Sequence, residues 1–213
     1  MSHTDRIILF GASGHGKVIC EILEAQGRIP FGFIDDNPLV TSLLEYPVFN
    51  TLQQAAGTAA DQFIISIGNN GIRKTIAATK LHGMPFTTAI HPAAVMSPRS
   101  TIGEGTVVMA NVTVNTNATI GRHVILNTNC CIDHDCTIED LVHISPNAAL
   151  AGNVRVGEGT HIGAGAAVIP NIRIGKWVTI GAGTVVIRDI PDHAVVVGNP
   201  GKVIKLNEPQ KLV

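Results

Sequence analysis

The sequence predicts a two-part chain: a small α/β domain with a parallel, Rossmann-like sheet over residues 1–90, then an all-β parallel β-helix over residues 91–213 that ends in a short tail. Two observations carry this. From Ile90 every sixth residue is aliphatic or methionine, through Met96, Ile102 and Val108 and on without a slip to Ile174, Ile180 and Val186. From Ser100 onward the residue two places before each of these is small or β-branched. A six-residue period fits neither an α-helix, at about 3.6 residues per turn, nor a plain strand, at about 2. It fits a short strand followed by a tight corner, so that three hexads close a triangular coil of about eighteen residues with the aliphatic side chain inside.

The second observation is the alternation of apolar runs ahead of Ile90. Residues 6–10 read as a strand, residues 11–16 (GASGHG) as a glycine-rich turn, and residues 17–25 as an amphipathic helix closed by Gly27. Residues 31–34 form a second strand ending at Asp35 and Asp36, and residues 51–60 read as helical. Residues 63–67 make a third strand ending at Gly68, Asn69 and Asn70; residues 72–81 read as a helix and residues 86–90 as a last strand. This order makes a parallel sheet with right-handed crossovers, whose ligands bind at the carboxyl ends of the strands. The three polar tips lie at those ends and are expected to converge on one cleft. The β-helix runs to about Arg188, where Ile190, Pro191 and Asp192 break the period.

Bulk composition narrows the function. Fifteen basic against sixteen acidic residues give a net charge of −1, with no basic stripe, which excludes a nucleic-acid partner and points to small molecules. The chain has no apolar run of about 18 residues and no basic-then-apolar leader, so no membrane partner is expected and the reading is a cytoplasmic protein. The four cysteines, Cys20, Cys130, Cys131 and Cys136, show no paired C-x-x-C spacing and read as small packers kept reduced.

The glycine-rich turn is G-x-x-G-x-G, neither the dinucleotide fingerprint nor a P-loop, yet backbone N–H groups opening a helix attract anions such as a diphosphate. By itself it is also an ordinary tight turn. Asp35 and Asp36 stand where related folds grip a ribose or base, and alone would equally suit a turn. His134, two residues after the inward Ile132, falls on a corner of the prism and points outward, to solvent or to a neighbouring prism. Asp133 and Asp135 flank it, and a carboxylate raises imidazole basicity and fixes its tautomer. His143 and His161 stand one coil apart and are expected to stack on one outer face; Ile125 in the preceding coil ends that column at two, which disfavours a metal site.

Taken together, the 11–16 turn, Asp35 and Asp36, the Ile67-Gly68-Asn69-Asn70 tip with Ile72 and Arg73, His91-Pro92, Leu126-Asn127-Thr128, Asp133-His134-Asp135-Cys136, His143 to Ser145 and Ala151 to Val154 resemble the sugar acyltransferases of the sialic acid O-acetyltransferase and bacillosamine N-acetyltransferase type. The likeness spans almost the whole chain and is strongest to the enzymes that make UDP-N,N′-diacetylbacillosamine. It implies a homotrimer of left-handed β-helices with each active site between two subunits. Acetyl-CoA would lie along the groove between prisms, with no metal, and a UDP-linked amino sugar would be held by the N-terminal domain. Carried over position by position, Ser13, Gly14, His15, Asp35, Asp36, Gly68 and Asn70 would contact the nucleotide sugar, with Asn127 near the sugar itself. His134 would be the general base and Asp135 its partner, in a place where such enzymes tend to carry glutamate. His143 and Gly152 would sit near the thioester, and Ala164 and Ala182 would line the coenzyme groove.

These parts suit direct attack of an amine on the thioester. His134 takes the proton, and the Gly152 N–H steadies the oxyanion in a complex holding both substrates. The alternatives are an O-acetyltransferase on a sialic acid-type sugar, an N-acetyltransferase on a GDP-linked amino sugar such as perosamine, a zinc carbonic anhydrase, and a non-enzymatic nucleotide-sugar sensor.

Overall fold

The computed structural model describes residues 6–55, 57 and 61–208. The chain divides into two compact units, Met1–Pro92 and Ala93–Val213.

In the first unit, β1 (Ile7–Phe10), α1 (Gly14–Ala25), β2 (Pro30–Ile34), β3 (Ser42–Leu43), β4 (Tyr46–Phe49), α2 (Leu52–Ala55), β5 (Gln62–Ile65) and α3 (Asn70–Ala78) follow in order. The sheet runs β3-β4-β2-β1-β5, parallel except for the antiparallel β3–β4 pair. β1 is apolar throughout and β5 is apolar after Gln62, as expected of buried parallel strands, and Ile8, Leu9 and Ile64 are fully buried. The chain leaves β1 to build β2 on one side and later β5 on the other. This places a topological switch at the carboxyl end of β1, where open α/β sheets bind ligands.

Several boundaries differ from the sequence expectation. Both α1 and α3 start earlier than expected, because the residues read as turn form the first helical turn: Asn69 caps α3 by accepting the Ile72 N–H at 3.0 Å. The β3–β4 hairpin was not expected, since Pro47 and a two-residue partner give little alternation. The expected helix over 51–60 is present as α2; residues 56 and 58–60 lie outside the described part. The expected strand over 86–90 is broken, with Phe86 bridging Phe63 and a separate strand at Ala89–Ile90.

The second unit is a parallel β-helix of two-residue strands. One face stacks Val95–Met96, Thr113–Val114, Cys131–Ile132, Ala149–Leu150, Ala167–Val168 and Val185–Val186. A second stacks Thr101–Ile102, Thr119–Ile120, Thr137–Ile138, Arg155–Val156 and Arg173–Ile174. The third carries Val107–Val108, Ile125–Leu126, His143–Ile144, His161–Ile162 and Thr179–Ile180, and is continued by Ala194–Val197, against which Lys202–Leu206 folds back antiparallel. From Val95 to Val186 each ladder joins residues eighteen apart, as the period requires, and the register shortens where Thr179 pairs with Val195. The inward positions Val114, Ile132, Leu150 and Ile162 are buried, and so are the small ones at Cys130, Cys136 and Ala148. At two of the threonines in that small position the hydroxyl is satisfied within the coil: Thr106 Oγ1 donates to the Gly121 carbonyl and accepts from the Val124 N–H, and Thr160 Oγ1 does the same with the Gly175 carbonyl and the Val178 N–H, whereas Thr184 Oγ1 is buried without a partner among the described residues.

The corners turn through left-handed backbone, which favours glycine or asparagine. One corner column reads Asn117, Asp135, Asn153 and Asn171, with φ between 58° and 65°. Asp135 is thus an aspartate in a column otherwise made of asparagine.

Candidate active site

At the β1 switch point the three tips do converge, through hydrogen bonds that begin in the strands. Gly11 N–H donates to the Ile34 carbonyl at 2.7 Å, and the buried Ser66 hydroxyl donates to the Gly11 carbonyl at 2.7 Å. Gly11 has φ +117°, and a Cβ there would meet Ile67 Cγ1 at 2.7 Å, so only glycine permits this crossing. The two aspartates then divide in role. Asp35 Oδ2 accepts the Ala12 N–H at 2.8 Å and Oδ1 the Asn37 N–H at 3.0 Å, so this carboxylate ties the glycine-rich turn to β2. Asp36 points away from that tie, into a cavity lined also by Phe10 and Ile34.

Ser13 is the N-cap of α1, yet its hydroxyl makes no capping hydrogen bond. With Gly14 it leaves donors open at a helix start, the arrangement that receives an anion. His15 follows: its Nε2 is buried with no hydrogen-bond partner among the described residues, and burial, aided by the Arg73 charge, pushes its pKa down to about 4. His15 is therefore a neutral imidazole at physiological pH.

The third tip is held from behind. Arg73 is 1% exposed and donates to the carbonyls of Ile67 at 3.1 Å and Gly68 at 3.2 Å and to Asn70 Oδ1 at 3.1 Å. Burial pushes its pKa down to about 9, which leaves it charged at neutral pH. Asn70 thus spends its side-chain oxygen on Arg73. The sequence shows Arg73 only within a motif; the available signal is an arginine in the first turn of α3, on the face that also carries Ile76.

On the β-helix, His134 and Asp135 meet directly, with Nδ1 and Oδ2 2.8 Å apart. A carboxylate at that distance assigns the proton to Nδ1 and leaves Nε2 as the basic nitrogen. Asp135 is oriented by Asn117 Nδ2 at 3.2 Å from its other oxygen. Asp133 is fixed by Asn115 at 2.9 Å and accepts the His134 backbone N–H at 2.7 Å. The Asp135 hydrogen bond, and then the Asp133 charge, hold the His134 pKa above the ordinary histidine value, while both carboxyls lie below theirs. The imidazole lies over Gly152, one coil on: a Cβ at 152 would meet His134 Cε1 and Nε2 at 2.6 Å.

A second group gathers on the third face and the corner that follows it. His143 and His161 stack with ring centroids 4.8 Å apart. Asn127 Nδ2 lies 3.2 Å from His143 Nε2, and Ser145 Oγ lies 2.7 Å from His161 Nε2. Ala164 and Ala182 are one coil apart on that corner, with the Gly183 N–H donating to the Ala164 carbonyl at 2.8 Å. The sequence-predicted residues of the β-helix therefore fall on two separate corners: His134, Asp135 and Gly152 on one, and Asn127, His143, Ala164 and Ala182 by the other. Among the described residues no cluster of three or more His, Cys, Asp or Glu side chains is placed to hold a metal ion. None of the described helices is long and apolar enough to cross a membrane.

An α/β unit with an open switch-point cleft, joined to a six-residue-repeat β-helix that displays a histidine–aspartate pair, defines a hexapeptide-repeat transferase. The PglD N-terminal domain model matches residues 6–80, and the bacterial transferase hexapeptide model matches residues 135–168 and 153–188. The acetyltransferase domain of PglB from Neisseria gonorrhoeae FA1090, solved with acetyl coenzyme A, is 38% identical with TM-score 0.89, covering 94% of this chain and 100% of that one. A histidine-to-asparagine variant of perosamine N-acetyltransferase from Caulobacter crescentus, solved with CoA and GDP-perosamine, is 36% identical with TM-score 0.88, covering 94% and 97%. The UDP-N-acetylbacillosamine N-acetyltransferase of Bacillus subtilis (strain 168) is 40% identical over 110 residues, which is 49% of this chain. The match spans about half, 51%, of that curated relative. The chain belongs to the hexapeptide-repeat sugar N-acetyltransferases that carry a PglD-type N-terminal domain.

Proposed function

We propose that the protein is an acetyl-CoA-dependent N-acetyltransferase that acetylates the 4-amino group of a UDP-linked 4-amino-4,6-dideoxy sugar, forming a UDP-N,N′-diacetylbacillosamine-type product. The observation that carries this reading is the His134–Asp135 pair, whose Nδ1 is anchored at 2.8 Å and whose Nε2 stands open above Gly152.

The diphosphate seats at the start of α1 among Ser13, Gly14 and neutral His15, with the 68–70 tip beside it and Asn127 toward the sugar. The amine attacks the thioester carbonyl, and His134 Nε2 accepts the amine proton as the tetrahedral adduct forms. This kind of catalysis typically contributes about 10²–10⁴-fold. Among the described residues nothing accepts from the Gly152 N–H, which leaves it to donate to the oxyanion, a contact worth roughly 3–4 kcal/mol in comparable holes. The adduct then collapses and expels the coenzyme thiolate. A thioester is already activated, so no acyl-enzyme is needed. His143, Ala164 and Ala182 line the coenzyme groove, which forms between left-handed prisms of a cytoplasmic homotrimer.

A GDP-linked amino sugar is the second reading, favoured by the perosamine relative, which matches over nearly the full chain. One experiment separates the two. With acetyl-CoA and a panel of UDP- and GDP-linked 4-amino sugars, release of free thiol is expected with the UDP-linked sugar. Release with the GDP-linked sugar alone would establish the second reading, and no release with any of them would overturn both.

A further inference from the structure

On the third face of the β-helix the outward column reads Ile125, His143, His161 and Thr179, one coil apart. The two imidazoles stack with centroids 4.8 Å apart and planes 12° from parallel. Each is held by a side chain from the coil before it: Asn127 Nδ2 stands 3.2 Å from His143 Nε2, and Ser145 Oγ stands 2.7 Å from His161 Nε2, so the same sixteen-residue step is used twice. A third contact decides which end of the Asn127 amide faces the ring, because the Thr128 N–H donates to Asn127 Oδ1 at 2.8 Å. The amide NH2 is therefore the donor, His143 Nε2 is the acceptor, and the ring proton sits on Nδ1. Ser145 is buried, and its hydroxyl both donates and accepts, so it anchors His161 in either tautomer.

We propose that Asn127, Ser145 and His161 are positioning residues for His143: they lock its ring in the Nδ1–H tautomer and in one plane, and the fixed ring orients the acyl–pantetheine arm of acetyl-CoA. The proposal rests on the coenzyme reading above, which puts His143 beside that arm, and it adds a supporting network that acts through His143. A half-buried imidazole on a two-residue strand otherwise turns about its last torsion, which is broad, and exchanges its proton between the two nitrogens. Holding it takes a partner at Nε2, which Asn127 supplies, and a wall against the ring face, which His161 supplies. The centroid separation of 4.8 Å falls in the roughly 4.5–7 Å range of favourable aromatic pairs. Ser145 in turn keeps that wall in place. Rigidity matters here because a misplacement near 1 Å costs about 10²-fold in rate. One amide hydrogen of Asn127 serves this contact, and the other remains compatible with its place toward the sugar.

The test has two arms on the full chain, and neither needs turnover. Long-range proton–nitrogen correlation spectra of histidine-labelled protein, with His143 assigned by the signals lost in His143→Gln, report which ring nitrogen carries the proton. The expected result is Nδ1 in the wild type and Nε2 in Asn127→Asp, whose carboxylate accepts where the amide donates. Calorimetric titration of acetyl-CoA reads the consequence. Asn127→Asp and His161→Ala are each expected to raise Kd by about three- to tenfold, the loss of one hydrogen bond or one ring contact. His161→Phe keeps a flat wall but loses the Ser145 anchor, and its affinity should fall between those of His161→Ala and the wild type. A wild-type His143 with its proton on Nε2, or a folded His161→Ala that binds acetyl-CoA as tightly as the wild type, would overturn the network and leave the proposed acetyl transfer standing. The tautomer measurement, made on the wild type, decides whether or not His161→Ala folds. Failure of the wild type to bind acetyl-CoA would overturn both.

Discussion

His134 can act as a base only when neutral, and Asp135 sets both how basic it is and which nitrogen is free. Because its pKa is raised, first by the Asp135 hydrogen bond, turnover should fall as pH drops through a midpoint above the ordinary histidine value of about 6.5. Asp135→Asn removes that support, so the acid limb of the kcat/KM profile should move to lower pH. At the same time kcat should drop by about 10² or more, because an amide NH2 facing Nδ1 favours the proton on Nε2. An acid limb that stays in place would exclude His134 as the titrating group. Gly152 tests position instead of protonation. A Cβ there would lie 2.6 Å from the imidazole, and an exposed ring on a surface corner can swing aside. Gly152→Ala should therefore keep its melting temperature while kcat falls roughly 10²-fold, the cost typical of a misplacement near 1 Å. Normal turnover in a folded Gly152→Ala would show that the ring works elsewhere.

At the level of elements, the β-helix was legible in full because its period is set by the coil: one side chain in six must point inward, and nothing else satisfies the pattern from Ile90 to Val186. The corner chemistry was legible only in part. Asp135 stands in a column of asparagines, a departure readable from sequence once the eighteen-residue alignment is drawn, and the same alignment sets Asn115 and Asn117 one coil before Asp133 and Asp135, while which oxygen each amide holds follows only from the side-chain geometry. In the α/β unit the strand tips were readable, and Arg73 left the signal of an arginine on the face of α3 that carries Ile76; the β3–β4 hairpin is too short to alternate, and the Lys80–Asp36 pair joins positions 44 apart that no period aligns. The adjacent aspartates looked equivalent and are not. Asp35→Ala removes the acceptor for two backbone N–H groups and should lower stability by about 2 kcal/mol along with nucleotide affinity. Asp36→Ala should weaken nucleotide binding at unchanged stability. Denaturant unfolding paired with titration of UDP checks both, and equal stability losses in the two variants would refute the division.

For the molecule as a whole, the two corners of the prism pose a geometric problem that the proposed trimer would resolve. His134, with Asp135 and Gly152, lies on the corner after the first face, while Ala164 and Ala182 lie on the corner before it, and His134 is 54% exposed. A thioester attacked at such an open imidazole needs water kept out, because electrostatic stabilisation of the adduct weakens in bulk solvent. A neighbouring prism supplies the wall if its Ala164–Ala182 corner faces the His134 corner, and a closed ring of three such heterologous contacts gives three equal sites. The expected species in sedimentation is a trimer. The sharper consequence is complementation. On the proposed assignment His134→Ala subunits lack the base and Ala182→Arg subunits carry a blocked coenzyme groove, so each should be inactive as a homotrimer. When the two are unfolded together and refolded as mixed trimers, some seams pair an intact His134 corner with an intact Ala182 corner, and activity should return to a substantial fraction of wild type. Mixed trimers that stay as inactive as their parents would place the base and the groove in the same subunit, and the seam would no longer be the site of acetyl transfer.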